Sequence, residues 1–511
     1  MRIRIVGAGV MGRGIAQWAV TAGHTVELCD ARRESVGQAL DFVADMLRRA
    51  VDRQRITPAN AAAAVERLVP LDSPTAPGDT VELVIEAVRE DLVTKAELFG
   101  ELERVLPPET VFATNTSSLS VTRIAATLTD PARLAGLHFF NPVPLMKIVE
   151  IVPGALTRPD IPPALTALVR GSGHAAVTVA DTPGFLVNHA GRGLVTEALA
   201  LLEESVSDPA GIDRIARDVL GLRMGPFELM DLTGLDVSAT VNDSIWQGFR
   251  HSDRLRPSFL TANRVDAGLH GRKTGRGFYS YTDESTALPA EPPITGDADR
   301  PVWVAGAGPD ADALRRALAG ARLAPLDGPN DWADPVVLVP TWGTTAAAAV
   351  ATDRLPARRT FGVDPLSLTG PRRVLAVTPA ADPAAVRDAR AVLARADESG
   401  QPPHVSVVRD TAGSVAQRLV ASIVSVAASI AERSIAGPED IDRAVTAALG
   451  YPLGPLAWGE KIGAPRVLAL QQALHRTTGD PRHRPTRWVT ERAQLGLALT
   501  EPGTAPADAA L

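Results

Sequence analysis

Ile3-Arg4-Ile5-Val6-Gly7-Ala8-Gly9-Val10-Met11-Gly12 is the stretch that decides the fold of this chain. A short apolar strand runs straight into glycines, and then Ile15, Ala16, Ala19 and Val20 recur at helical spacing. The order is strand, glycine turn, helix. Gly7 permits the tight turn, Gly9 lets backbone approach a pyrophosphate, and Gly12 allows the helix to pack closely on the strand. The helix N-terminus at Val10 and Met11 then faces the anion. A second strand, Thr25 to Leu28, ends at Cys29-Asp30. That places an acid about 20 residues past the glycines, where it can accept hydrogen bonds from a ribose diol. Asp30 favours NAD and would repel a 2′-phosphate, while Arg32 and Arg33 keep NADP as the lesser alternative. Glycines alone could simply shape a turn; their strand-to-helix context and the following acid make dinucleotide binding the stronger reading.

Further along, the apolar run Val81 to Ile85 leads to Glu86-Ala87-Val88-Arg89-Glu90, with Lys95 on the helix expected next. Val111-Phe112-Ala113 leads to Thr114-Asn115-Thr116-Ser117-Ser118. Residues just past strand C-termini line the ligand crevice of an open parallel sheet, so both clusters are candidates for cofactor or substrate contact. Asn115 is taken as a cofactor-side residue. The competing reading for each cluster is helix capping and a solvated loop.

Leu134 to Phe140 and Lys147 to Val152 are two more apolar runs, separated by Asn141-Pro142-Val143-Pro144, whose prolines suit a turn. If the chain folds back about Pro144, His138 and Glu150 become cross-strand neighbours on one face. Imidazole is the side chain whose ordinary pKa lies nearest neutrality, and a carboxylate beside it fixes its tautomer. The pair reads as a base with its orienting carboxylate.

With these segments in place the chain resembles the L-3-hydroxyacyl-CoA dehydrogenase family, from Met1 to about Tyr281. The carriers are Gly7 to Gly12, Thr114 to Ser118, His138-Phe139-Phe140-Asn141-Pro142, Asp181-Thr182-Pro183-Gly184-Phe185 and Gly271-Arg272-Lys273-Thr274-Gly275-Arg276-Gly277-Phe278-Tyr279. The resemblance implies an α/β Rossmann-type domain followed by an all-α domain, and NAD-dependent oxidation of a 3-hydroxyacyl-CoA thioester of the L form. It implies that His138 and Glu150 are the catalytic pair, and that Ser117 and Asn188 hydrogen-bond the substrate's oxygen region. Asn141 matches the motif's active-site Asn, and Glu90 and Lys95 match residues beside the bound NAD. Such a reaction needs no metal, and nothing in the chain has metal-ligand spacing. Arg48, Arg49, Arg53 and Arg55 crowd one polar segment that could meet coenzyme A phosphates or form a solvated helix face. A dicarboxylyl substrate such as 3-hydroxyadipyl-CoA would want a further cation, with Arg192 and Arg223 as candidates; 3-hydroxybutyryl-CoA would not.

Composition agrees with a soluble enzyme of several domains. The 511 residues are 45% hydrophobic and 22% charged, enough for several cores. A net charge of −7 without a concentrated basic stretch argues against nucleic acid as partner. Cys29 is the only cysteine, so no intrachain disulfide forms, and Met1 leads into a strand rather than a signal segment. A cytoplasmic location is expected. The longest apolar stretch, Leu419 to Ala431, reads as short of a membrane span.

After Asp181 the pattern turns helical, and then it repeats. Asp181 to Gly234 and Asp410 to Gly463 align without a gap at an offset of 229, with 16 of 54 positions identical, including Asp213 with Asp442 and Gly225-Pro226 with Gly454-Pro455. A duplicated helical domain follows. The expected organisation is a Rossmann domain over 1–180, a helical substrate and dimerisation-type domain over 181–282, a linker over 283–300, a degenerate Rossmann-like domain over 301–408, a second helical domain over 409–500 and a flexible tail over 501–511. In the degenerate part Gly306-Ala307-Gly308 lacks its third glycine, which is Ala311. Asp364-Pro365 echoes Asn141-Pro142 with Phe361 where a His would stand, Gln417 replaces Asn188, and Asp327 leaves residual nucleotide binding open. The second half is expected to be catalytically silent. It would supply, within one chain, the helical surface through which two subunits of the resembled family pack, making an intrachain pseudo-dimer; further homo-oligomerisation stays open. Two other readings are a dehydrogenase of free 3-hydroxy acids and a non-catalytic dinucleotide-binding protein.

Overall fold

The opening strand, turn and helix form as the sequence expects in the computed structural model, which describes residues 1–78, 80–282, 285–286, 288–325, 334–395 and 401–504. β1 (Arg2–Val6) precedes helix Val10–Thr21 and β2 (Thr25–Cys29). Gly7 has φ +106°, and a Cβ on Gly12 would lie 1.7 Å from the Gly7 carbonyl oxygen, so the turn tolerates a side chain at neither position. β3 (Leu68–Pro70), β4 (Leu83–Glu86), β5 (Val111–Thr114), β6 (Leu134–Phe139), β7 (Ile148–Pro153) and β8 (Ala175–Thr178) complete a sheet of order β3-β2-β1-β4-β5-β6-β7-β8. All neighbours are parallel except β6 and β7. Ile3, Ile5, Val26, Leu28 and Ile85 are fully buried, as strands covered on both faces require. The strand order reverses between β1 and β4, and the crevice at their C-terminal ends is where such sheets bind ligands.

Beyond a two-stranded ribbon of β9 (Tyr281–Thr282) and β10 (Ser285–Thr286), a second sheet contains β11 (Val302–Val304), β12 (Val336–Pro340), β13 (Thr360–Val363), β14 (Arg372–Val377) and β15 (His404–Arg409), in that order. Only β13 and β14 are antiparallel. Single-residue parallel bridging of Leu323 to Val302 repeats the start of β2 beside β1. β12 corresponds to β5. The helix after each, Ala346–Asp353 and Val121–Ala125, has its first amides capped by Asp410 and Asp181 respectively, and these two aspartates are 229 residues apart. No described strand stands between β11 and β12 where β4 would be, so the second sheet is a shortened copy.

Sheet register corrects one expectation. A Cβ on Gly136 of β6 would press on Val152 at 2.8 Å and Val121 at 2.9 Å; on Gly362 of β13 it would meet Ala376 at 3.2 Å and Ala346 at 3.4 Å. Gly362 is therefore the counterpart of Gly136, and counting on two residues puts Asp364, not Phe361, at the place of His138. Asp364 stands opposite Val374, whose carbonyl accepts from its amide, so Val374 replaces Glu150. The Asp364-Pro365 echo of Asn141-Pro142 is a local likeness, overruled by the pairing of the strands. Asp327 lies outside the described residues, as do 505–511 of the expected tail.

The chain divides into two compact units, 1–189 with 433–449, and 190–432 with 450–511. These units do not follow the chain order of the expected domains, because a helix is exchanged. Within the first unit the Ala180 amide donates to the Ile435 carbonyl (2.9 Å), and helix Pro438–Leu449 packs on β7 and β8. Within the second, the Arg409 amide donates to the Val206 carbonyl (2.9 Å), and helix Pro209–Asp218 packs on β14 and β15. Each contact is the other displaced by 229 residues in opposite senses. The second unit also pairs helix Arg192–Glu203 with Ser414–Glu432, so closely that a Cβ on Gly193 would lie 2.8 Å from the Ile423 Cα. Buried Arg418 bonds Glu197 at 2.5 Å and Glu204 at 2.8 Å across this contact. At 19 residues, Ser414–Glu432 is long and apolar enough to cross a membrane, longer than its apolar run suggests, but 94% of its most apolar stretch is buried in protein. The expected linker is held down in this unit, Glu291 pairing with Arg214 at 3.2 Å and Arg372 at 2.5 Å.

Candidate active site

β6 and β7 form the hairpin expected about Pro144, with His138 and Glu150 directly opposite. His138 Nδ1 lies 2.6 Å from Glu150 Oε2. Glu150 is fully buried, and its other oxygen, Oε1, accepts from the backbone amides of Leu186 (3.0 Å) and Val187 (2.8 Å). Both carboxylate oxygens are thus committed within the protein, which fixes the ring with Nδ1 toward Glu150 and Nε2 on its far side. The Phe140 and Phe185 rings pack against the imidazole with centroids at 4.5 and 5.6 Å. Phe185, at φ +47°, follows Gly184 at φ +72° and brings the Leu186 and Val187 amides round to Glu150. Those amides are functional groups the sequence reading missed; the Asp-Thr-Pro-Gly-Phe turn was their only signal.

Asn188 follows on helix Val187–Ala190. Asn141 is exposed just past β6, joined to Pro142 by a cis bond. His174, buried, holds the next loop residue through a ring nitrogen 3.2 Å from the Val143 carbonyl.

The turn carrying Ser117 is built around two carboxylates and one ammonium. Glu90 Oε1 accepts from the Thr116 hydroxyl (2.6 Å), the Ser117 and Ser118 amides (both 2.9 Å) and the Ser118 hydroxyl (2.9 Å). Its Oε2 meets Lys95 Nζ at 3.2 Å, and Lys95, itself buried, reaches Glu86 at 2.6 Å. Glu86 also takes the Thr114 hydroxyl at 2.7 Å. Burial pushes the Glu90 carboxyl up, but Lys95 and the Thr116 and Ser118 hydrogen bonds outweigh it and hold the group at about 2. For Glu86 burial wins and raises the group, with Lys95 opposing. Asn115 is tied elsewhere, its Oδ1 accepting from the Phe139 amide at 2.8 Å next to His138.

The glycine turn fits the dinucleotide expected of it. A Cβ on Gly9 would meet nothing beyond its own chain neighbours within 4 Å, and helix Val10–Thr21 has no side-chain cap at its N-terminus, as an anion-binding turn requires. Asp30 accepts from the Ala8 amide at 2.8 Å, which ties the end of β2 to the turn. Arg48 and Arg49 pair with Asp45 on their own helix, and Arg53 and Arg55 are exposed, so this segment has the character of a solvated face.

Residues 2–182 match the family model for the 3-hydroxyacyl-CoA dehydrogenase NAD binding domain, and the C-terminal domain of the same family matches twice, at 184–281 and 413–504. The chain is 35% identical to 3-hydroxyadipyl-CoA dehydrogenase of Escherichia coli over 96% of its length and 97% of that protein. It is 35% identical to a probable 3-hydroxybutyryl-CoA dehydrogenase of Bacillus subtilis, over 56% of this chain and 99% of the other. A crystal structure of 3-hydroxybutyryl-CoA dehydrogenase from Escherichia coli matches with a TM-score of 0.84 and 34% identity, covering 97% of this chain and 98% of that one. With the glycine turn, the hairpin and both helical repeats accounted for by one family, the chain belongs to the 3-hydroxyacyl-CoA dehydrogenases, NAD-dependent oxidoreductases.

Proposed function

We propose that the first half carries the working centre of this oxidoreductase, with His138 as the acid–base group and Glu150 as its orienting partner. The observation that carries this is the 2.6 Å His138 to Glu150 contact, whose carboxylate is itself clamped by two buried amides. In the oxidative direction the His138 Nε2 takes the proton of the C3 hydroxyl as the C3–H bond breaks, and Glu150 stabilises the imidazolium that forms. Bound NAD supplies the acceptor for the hydride. Ser117 and Asn188 hydrogen-bond the C3 oxygen, and Asn141 borders the same pocket. Gly7, Gly9 and Gly12 with the amides of Val10 and Met11 hold the pyrophosphate, and Asp30 the adenosine ribose. Lys95 lies on the cofactor side, with Glu90 and Asn115 shaping the turns around it. Reduction runs the same steps backwards.

The substrate is an acyl-CoA thioester of the 3-hydroxybutyryl or 3-hydroxyadipyl kind, and the enzyme is cytoplasmic. The reciprocal exchange of helices between the two repeats supports an intrachain pseudo-dimer, in which the second half is a structural partner to the first. Loss of NADH absorbance on adding acetoacetyl-CoA, run beside free acetoacetate and beside His138→Ala, tests the reading. Oxidation with the thioester alone, abolished in the variant, is expected; turnover of the free acid, or an active variant, would refute it.

A further inference from the structure

The end of β4 carries a buried carboxylate that the reaction as described does not use. Glu86, the last residue of β4, stands in register between Val6 of β1 and Thr114 of β5, at the point where the strand order reverses. Three donors face this fully buried group: Lys95 Nζ at 2.6 Å and the Val88 amide at 2.7 Å on Oε1, and the Thr114 hydroxyl at 2.7 Å on Oε2. Lys95, on helix Leu92–Val105, is 1% exposed, so its ammonium is held inside the protein instead of extending to water. Apolar groups of similar volume often serve stability as well as a buried ion pair does, whereas removing one partner leaves the other charge uncompensated. The position of this pair at a ligand crevice points to a task beyond holding the core.

Glu86 reaches the Ser117 turn by two routes. Through Lys95 it meets Glu90 Oε2, 3.2 Å from the ammonium, and Glu90 Oε1 accepts from the Ser117 and Ser118 amides at 2.9 Å. Through Thr114, whose hydroxyl oxygen accepts from the Thr116 amide at 3.3 Å, it meets the start of the same turn. The Val88 amide adds the segment that packs on the glycine turn, where a Cβ on Gly7 would lie 2.4 Å from the Ala87 carbonyl oxygen. The second sheet has no described strand in the place of β4, so the half without a His138 and Glu150 pair has no described counterpart of Glu86 either.

We propose that Glu86 is a positioning residue for the oxidoreductase reaction: through Lys95 it places Glu90, and with it the Ser117 turn that hydrogen-bonds the substrate's C3 oxygen. The proposal rests on the roles given above to His138 and Ser117. Every residue in it belongs to the first compact unit. With Glu86 uncharged, Lys95 is drawn to Glu90 alone, and the carboxylate that orders the Ser117 and Ser118 amides shifts with it.

The test measures kcat and KM in the full chain with NADH and acetoacetyl-CoA, or 3-oxoadipyl-CoA if the wild type turns that over faster, beside Tm by differential scanning fluorimetry. Glu86→Gln keeps the size of the side chain and removes its charge. It should lower kcat about tenfold and change KM for the thioester less than about twofold, the mark of a group felt in the transition state and not in binding. In a Lys95→Met chain, which lacks the ammonium, the same substitution should cost no more than about twofold in kcat, since residues that act through one another are not additive. Glu86→Asp, which holds the charge one methylene short of Lys95, should lose about threefold in kcat and carries the test if Glu86→Gln does not fold. A fall in Tm with kcat at the wild-type value would overturn the proposal, as would a further loss of about tenfold in the Lys95→Met chain. Activity surviving in His138→Ala would refute the roles on which the proposal rests. Unchanged kcat in Glu86→Gln beside an inactive His138→Ala chain would refute the proposal alone.

Discussion

The two halves of the chain start from one plan and differ at each position where chemistry would occur. Where His138, Glu150 and Asn188 stand in the first, the second has Asp364, Val374 and Gln417. Asp364 is closed off: its Oδ1 accepts from Gln417 (2.9 Å) and the Leu366 amide (2.9 Å), and Gln417 also takes up the Thr341 carbonyl and Gly343 amide at 2.8 Å. At the place of Ser117 stands Trp342, under the guanidinium of Arg466 at 3.9 Å. The same Arg466 pairs with Asp310 at 2.7 and 2.9 Å. Asp310 occupies the first helical turn, the counterpart of the turn proposed to hold the pyrophosphate in the first half, and Pro309 before it has no amide to offer. Gly308 has φ +99° where Gly9 has −69°, so the second turn has a different path, one that accommodates a Cβ at Ala311. What the second half retains instead is packing: the same helices, the same capped turns and the reciprocal exchange. Duplication has kept the scaffold but not the side chains of the first half's candidate site, and the first unit includes a helix from the second half.

Substitutions at matched positions would break this contrast or sharpen it. His138→Ala should lower kcat about 10³- to 10⁴-fold, whereas Asp364→Ala should leave it unchanged in the NADH assay. Equal effects would mean that both copies work. Gly12→Ala should raise the Kd for NADH at least about tenfold, since its Cβ would lie 1.7 Å from the Gly7 carbonyl oxygen and the turn must open. Ala311→Gly at the matching position should leave that Kd alone.

A smaller effect is expected from Glu90→Ala, which removes the acceptor holding the Ser117 and Ser118 amides. It should cost about tenfold in kcat with a lesser change in NADH affinity, read by fluorescence titration. A change confined to NADH affinity would mean that Glu90 serves the cofactor directly. The smallest effect concerns Asp364 alone. Burial raises its carboxyl to about 6 in the folded chain, above the ordinary value near 3.9. Folding therefore favours its protonated form. That contribution is complete below about pH 4 and is lost as pH rises through 6. Asp364→Asn should raise Tm by about 3 °C at pH 8 and not at pH 4, by differential scanning fluorimetry.

Much of this contrast is legible from local rules. Strand, glycines, helix and acid occur in an order that sterics and phosphate recognition dictate, so the first turn can be read directly. The His138 and Glu150 pairing follows from counting residues either side of a proline turn, because cross-strand neighbours are fixed once the turn is. The repeat shows itself because glycine, proline and aspartate at helix ends resist substitution that composition alone would allow. Nonlocal partners are another matter. Nothing near Glu150 in sequence announces the Leu186 and Val187 amides, and Glu86 reads as an ordinary strand end until Lys95 is seen against it. The slip at Phe361 has the same origin, since an Asp-Pro resemblance is local while strand register is set across the sheet by Gly362. The exchanged helices could not be read either, as a repeat specifies what folds alike and not which copy packs on which sheet.

The central claim, one working centre in a chain with two related halves, is tested most directly by titrating the full-length wild type with NADH and counting sites by calorimetry. The account predicts one NADH bound per chain, lost when the first glycine turn is altered by Gly12→Ala. Two NADH per chain, or one that survives that substitution, would contradict it.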